Sequence, residues 1–264
     1  QMCIRDSATI GSDVDIHFFI HHRNFNTYIK KFANETTSAN LSDLTSFAEW
    51  SAFDLNAKPN ELSFDGFTST NDSVYNYLKI FSNQSPQKME ALNILPDKTA
   101  AFLYFGMDNY KAFQSGYKQW LQKNNELDSY NNAIKSINFR SGSDVEQNFS
   151  SWMSNEVIAF MMCIRDRLKS NDVLRVLFGK SFSGITENYY APIGDYIVFA
   201  NSSNVLKNIH ESFVSKKLLK ENESYQSFSN KIADESNIFC YVNISKATAT
   251  IINCLLPEYA SSAI

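Results

Sequence analysis

The chain has 264 residues, 44% of them hydrophobic and 20% charged, which suits a globular protein with a real core and allows one large domain or two modest ones. Its net charge is -4 and its 24 Lys and Arg form no strong patch, which argues against a nucleic-acid binder. No apolar run is long enough to span a bilayer, and no secretory signal reads from the opening QMCIRDS.

Taken in chain order, three segments read as a strand followed by a helix: 13–32, 98–117 and 235–254. The first two share Asn24/Asn109 and keep aromatic residues at Phe25/Tyr110, Tyr28/Phe113 and Phe32/Tyr117. The last two share Phe102/Phe239 and Tyr104/Tyr241. Between the first two, residues 46–70 read as a β-hairpin turning at NAKPNE, with Phe53 and Leu55 on one face. A helix is expected next, from Val74, Tyr77, Leu78 and Phe81 at i, i+3, i+4 and i+7. In the second segment Tyr110, Phe113, Tyr117, Trp120 and Leu121 form an apolar helical stripe, with Asp108 placed to cap it. Residues 189–200 read as a second hairpin turning at Gly194-Asp195, followed by a helix carrying Val205, Leu206, Ile209 and Phe213.

The pattern predicts an α+β fold of repeated β-α-β-β-α units, mostly antiparallel sheet with helices packed on one face. The expected units are 8–96, 97–234 and the start of a third at 235–264, cut short after one helix. The strands at 100–105, 196–200 and 237–243 are expected to be central and buried.

The pentapeptide MCIRD occurs twice, at 2–6 and 162–166, followed by Ser7 and Arg167. The copies fall at different points of the proposed repeat, whereas a structural repeat keeps its phase. The run resembles a translated transposase sequencing adapter, ATG TGT ATA AGA GAC AG, whose last codon begins AG and so encodes Ser or Arg. Residues 2–7 and 162–167 are therefore expected to be adapter-derived and set apart from fold reasoning. On that reading the chain is a chimeric metagenomic fragment joined at 162–167, and residues 1–12 and 162–170 should pack poorly. Of the four cysteines, Cys3 and Cys163 lie in these runs, leaving Cys240 and Cys254 as expected buried free thiols.

The stretches WSAFDLNAKPNELSFDGFT (50–68), LPDKTAAFLYFGMDNYKAF (95–113), SSWMSNEVIAFM (150–161) and the 178–209 segment, in that order, resemble the bacterial family called domain of unknown function 3352. The resemblance spans most of 46–244 and rests on the order of these stretches. It implies a protein of the cell envelope or periplasm that meets the membrane only through an N-terminal anchor missing here. It carries over no catalytic residues. Family members also have a longer stretch between the NEVIAF strand and the FGKSFSG segment, which agrees with a loss at 162–167.

For chemistry, the most suggestive run is DVDIHFFIHH, since on a strand Asp13, Asp15, His17 and His21 share one face and together offer metal ligands. A solvated strand face is the plainer reading of the same residues. Glu156, Glu187 and Asp195 are acids at no fixed spacing, where a paired-carboxylate hydrolase needs two held across a cleft. Ser183-Gly184 lacks the glycine spacing of a nucleophile elbow or phosphate loop, and His210 lies on a helix face beside Glu211. The apolar helical stripes read as core, although 21 Phe and 13 Tyr could instead line an aromatic cavity.

These readings point first to a non-enzymatic envelope binding or scaffolding module without a cofactor, its expected partner an envelope protein, peptide or lipid and not a nucleic acid. The alternatives are a metal-dependent enzyme using the Asp13/Asp15/His17/His21 face, or a lipid- or peptide-binding domain built around aromatic residues.

Overall fold

A computed structural model of the chain describes residues 16–40, 42–58, 61–70, 75–162, 173–179, 182 and 189–260. It divides into two compact units, Gln1–Ser82 with Cys254–Ile264, and Asn83–Asn253. The first boundary thus falls after Ser82, where the repeat pattern had put it near 96. No helix among the described residues is long and apolar enough to cross a membrane.

The first unit holds β1 (Ile16–His21), α1 (His22–Ile29), α2 (Glu35–Asn40) and the hairpin of β2 (Trp50–Lys58) and β3 (Glu61–Ser69). The three strands form an antiparallel sheet in the order β1-β2-β3. The hairpin register runs unbroken from Trp50↔Ser69 to Lys58↔Glu61, as alternating side chains on one face dictate. Of the helix expected from Val74 to Phe81, Val74 lies outside the described residues and the rest contains a 3₁₀ segment, Tyr77–Phe81. Its first amides are taken by the preceding loop, Tyr77 N–H by the Ser46 carbonyl and Leu78 N–H by that of Phe47, so an α-helical ladder does not begin earlier. Tyr77 stacks on Phe47 with ring centroids 6.4 Å apart and meets Phe81 at 6.2 Å. Residues from Cys254 onward belong to this unit, since Asn34 N–H bonds to the Cys254 carbonyl and Leu256 N–H to that of Phe32.

The second unit begins with β4 (Gln87–Lys88) and β5 (Thr99–Gly106), then α3 (Tyr110–Lys123), α4 (Leu127–Ser141), α5 (Val145–Trp152) and β6 (Glu156–Met162). It continues through α6 (Val173–Phe178), the hairpin β7 (Tyr189–Ile193) and β8 (Tyr196–Ala200), α7 (Ser203–Val214), α8 (Glu223–Ser229), β9 (Glu235–Ser236), β10 (Ile238–Val242) and α9 (Ile244–Cys254). The main sheet is antiparallel in the order β10-β5-β6. Of the three strands expected to be central, β5 alone is so among the described residues, where β10 is an edge and β8 pairs with β7 alone.

Every strand pairing among the described residues is antiparallel, so the fold is α+β. The pairing differs between the proposed repeats, however. β1 pairs with the first strand of the hairpin that follows it, whereas β5 pairs with β6 and β10 and not with the 189–200 hairpin. Helical segments also reach both faces of β5 rather than one. Phe102 and Tyr104 pack with Leu219 and with Tyr225 of α8. On the opposite face Phe105 meets Phe182, which meets Phe178 of α6, which meets Phe113 of α3, at centroid distances of 5.1, 5.5 and 5.8 Å. A strand apolar at consecutive positions must be covered on both sides. The aromatic side chains therefore meet one another.

Two local features follow the sequence closely. Gly194 takes φ +59° as the first residue of the two-residue turn between β7 and β8, a conformation that favours glycine. The α3 stripe is buried as expected, but its cap is Asn109 rather than Asp108: Asn109 Oδ1 accepts the Ala112 amide at 3.0 Å.

Candidate functional site

Two of the four suggested metal ligands, Asp13 and Asp15, lie outside the described residues. His17 and His21 do share a face of β1, and each is engaged by the neighbouring strand. His17 Nδ1 is 2.9 Å from Asp54 Oδ1, its register partner on β2, and His21 packs on Trp50 with centroids 4.4 Å apart. Among the described residues no group of three or more His, Cys, Asp or Glu could hold a metal ion. Ser183, Gly184 and Glu187 also lie outside the described residues, Asp195 sits in the hairpin turn, and His210 is exposed on α7. Cys240 is exposed and Cys254 half-buried, which corrects the expectation of two buried thiols, since edge strand β10 leaves one face toward solvent.

The buried histidine is His22, which opens α1 where the period of two ends, so a pattern of alternation passes over it. Its Nε2 lies 2.8 Å from Ser51 Oγ and its Nδ1 3.1 Å from the Leu44 carbonyl oxygen. Ser51 Oγ in turn lies 2.9 Å from Thr68 Oγ1. The carbonyl can only accept, so Nδ1 carries the proton and Nε2 accepts from Ser51 in the neutral ring. Burial lowers the His22 pKa and holds the ring neutral, against a smaller raising effect of the Leu44 carbonyl. A serine, a histidine and a group orienting it form a nucleophilic pattern on paper. Here Ser51 is 3% exposed and His22 8%, so the set ties α1 to β2 and β3.

Glu156, at the start of β6, holds the segment before β5. Its Oε1 accepts the Tyr196 hydroxyl at 2.9 Å and its Oε2 the Glu90 amide at 3.1 Å, at the first turn of the 3₁₀ segment Glu90–Asn93. Burial raises the Glu156 pKa, opposed by these donors, and Tyr196 is raised by burial and by the carboxylate it serves.

A groove of about 520 Å³ lies between α3 and α5. One wall is Lys111, Gln114, Ser115 and Lys118, at i, i+3, i+4 and i+7 on the face of α3 away from its aromatic stripe. The other is Glu146, Gln147, Ser150 and Ser151 of α5. Three donors converge on Glu146 Oε1: the Tyr130 hydroxyl at 2.5 Å, Lys118 Nζ at 2.7 Å and Gln114 Nε2 at 2.9 Å. Lys118 Nζ also stands 5.7 Å from the centre of the Tyr130 ring. Burial, with the Glu146 carboxylate behind it, raises the Tyr130 pKa and keeps the phenol protonated. The wall residues are ordinary surface polar residues of two amphipathic helices in the sequence; what would have revealed them is the pairing of α3 with α5, which the sequence does not display. Comparison with family models, with curated proteins and with solved structures gives no match.

Proposed function

We propose that the chain is a non-enzymatic binding or scaffolding module of the bacterial cell envelope, with the α3/α5 groove as its ligand surface. The observation that carries this reading is the state of the groove's own charges. Glu146 accepts from Tyr130, Lys118 and Gln114 at one oxygen, so the carboxylate organises the two walls. Side chains fixed in this way present a preformed polar surface, which is what binding without rearrangement needs. The envelope setting rests on the resemblance of 46–244 to the domain of unknown function 3352 family.

The test is an NMR titration of the folded chain against envelope-derived saccharides, peptides and lipids, with each compound assayed for conversion. The expected result is shift changes clustered on α3 and α5 with every ligand recovered intact. Turnover of any compound, or shifts confined to other elements, overturns the reading.

A further inference from the structure

We infer that the α3/α5 groove takes an acidic oligosaccharide, with its anionic group on Lys111 and its hydroxyls on the amides and hydroxyls of the two walls. This rests on the reading of the chain as a binding module and adds the class of ligand.

Charge decides the sign. The groove carries two lysines against one glutamate, and that glutamate is paired with Lys118 at 2.7 Å. Lys111 takes no part in the ion pairs of the described residues and is exposed. Seven residues separate the lysines, about 10 Å along the helix at ~1.5 Å per residue. One end of the groove is thus neutralised and the other offers a free ammonium, which selects a ligand with a negative charge toward one end.

The rest of the lining selects a polyol. Gln147, Ser115 and Ser150 each both donate and accept, the pairing a sugar hydroxyl makes in return. Gln114 commits one N–H to Glu146 and keeps its amide oxygen, and Ser151 donates to the Asn148 carbonyl at 2.8 Å while its oxygen still accepts. An extended peptide would need an apolar pocket for an anchoring side chain, and all eight lining residues are polar or charged.

The test uses the whole chain and three probes: hexagalacturonate, maltohexaose and a hexaglutamate peptide, by calorimetric titration with NMR mapping. Hexagalacturonate should bind with shifts on α3 and α5, at least about tenfold more tightly than maltohexaose, and weaken as salt rises. Lys111→Glu and Lys111→Gln should each weaken it about tenfold or more, the order expected for a lost charged hydrogen bond. Both changes are at an exposed helix position, and an unaltered far-UV spectrum and melting curve accompany a valid result. Equal binding of maltohexaose, or hexagalacturonate binding that ignores both variants, overturns the inference. Hexaglutamate preferred in the groove overturns the sugar class and leaves the binding-module reading standing. If none of the three binds and the wider saccharide, peptide and lipid set leaves α3 and α5 unshifted, both fall.

Discussion

His22 lies between the Leu44 carbonyl and the Ser51 hydroxyl, 8% exposed and held neutral by burial. Its folded pKa is below the ordinary 6.5, so as pH falls the unfolded chain takes up the proton first. The stability it supports is complete above about pH 6.5 and declines below it, toward the lowered folded pKa. Urea unfolding between pH 7.5 and 5 should show this decline, and His22→Gln, which keeps a donor and an acceptor without titrating, should reduce it; an unchanged slope would sink the assignment. Tyr110 offers the reverse case. It is 5% exposed and its hydroxyl has no hydrogen-bond partner among the described residues. Tyr110→Phe removes a buried, unsatisfied oxygen and should be neutral or stabilising by about 1 kcal/mol in the same assay, whereas a loss above ~1 kcal/mol would mean that the hydroxyl is in fact served. At this scale the sequence was a partial guide. The shared face of His17 and His21 is legible from alternation alone, while His22 is defined by partners 22 and 29 residues away, and no local pattern carries that information.

Elements are better written in the sequence than their partners are. The α3 stripe, the α7 stripe and both hairpins follow from period 3.6, period 2 and turn residues. The errors come where tertiary bonds compete: amides claimed by the 46–47 loop shorten the helix expected at 74–81, and Asn109 displaces Asp108 as cap. Gly106 shows a constraint of the same origin at the end of β5. Its N–H bonds to the Asn237 carbonyl at 2.8 Å, and Asn237 Nδ2 returns a bond to the Gly106 carbonyl at 3.1 Å. A Cβ here would stand 2.5 Å from the Ser236 carbonyl oxygen and 2.5 Å from Tyr104 Oη. The carbonyl is backbone and Tyr104 is fully buried, so neither yields easily. Gly106→Ala should destabilise the second unit by about 1–3 kcal/mol, the usual cost of overpacking. Amide exchange should report it as lost protection at Gly106 and Asn237 first; wild-type protection at both would show that the strand end has room to move.

At the scale of the molecule, the main sheet of the second unit is closed by a strand from far along the chain. β10 follows β5 by more than a hundred residues, and between them lie α3 to α8, β6 and the 189–200 hairpin. The sequence displayed the kinship of the two strands, through Phe102/Phe239 and Tyr104/Tyr241, but as successive repeats. In the fold these residues are neighbours: Phe239 pairs in register with Tyr104, and Tyr241 with Phe102. Similar strands make similar apolar faces, so likeness in sequence is as consistent with pairing as with repetition, and only the long-range register separates the two. The MCIRD run has a comparable ambiguity at its first residue, since Met162 ends β6 opposite Thr99 and packs near Ile94, while the following residues of that run lie outside the described ones. The energetic consequence of closure is concentrated in Tyr241. It is 6% exposed and its ring meets Phe102 at 5.3 Å, Tyr225 at 5.2 Å and Phe228 at 5.7 Å. Truncating it removes the contact surface of three rings at once and leaves a cavity that a sheet edge cannot readily fill. Tyr241→Ala should therefore cost about 3–5 kcal/mol in the unfolding of the second unit, with Tyr241→Phe nearly neutral because the stacking survives. A loss under ~1 kcal/mol on Tyr241→Ala would mean that β10 lies on the sheet without completing its core.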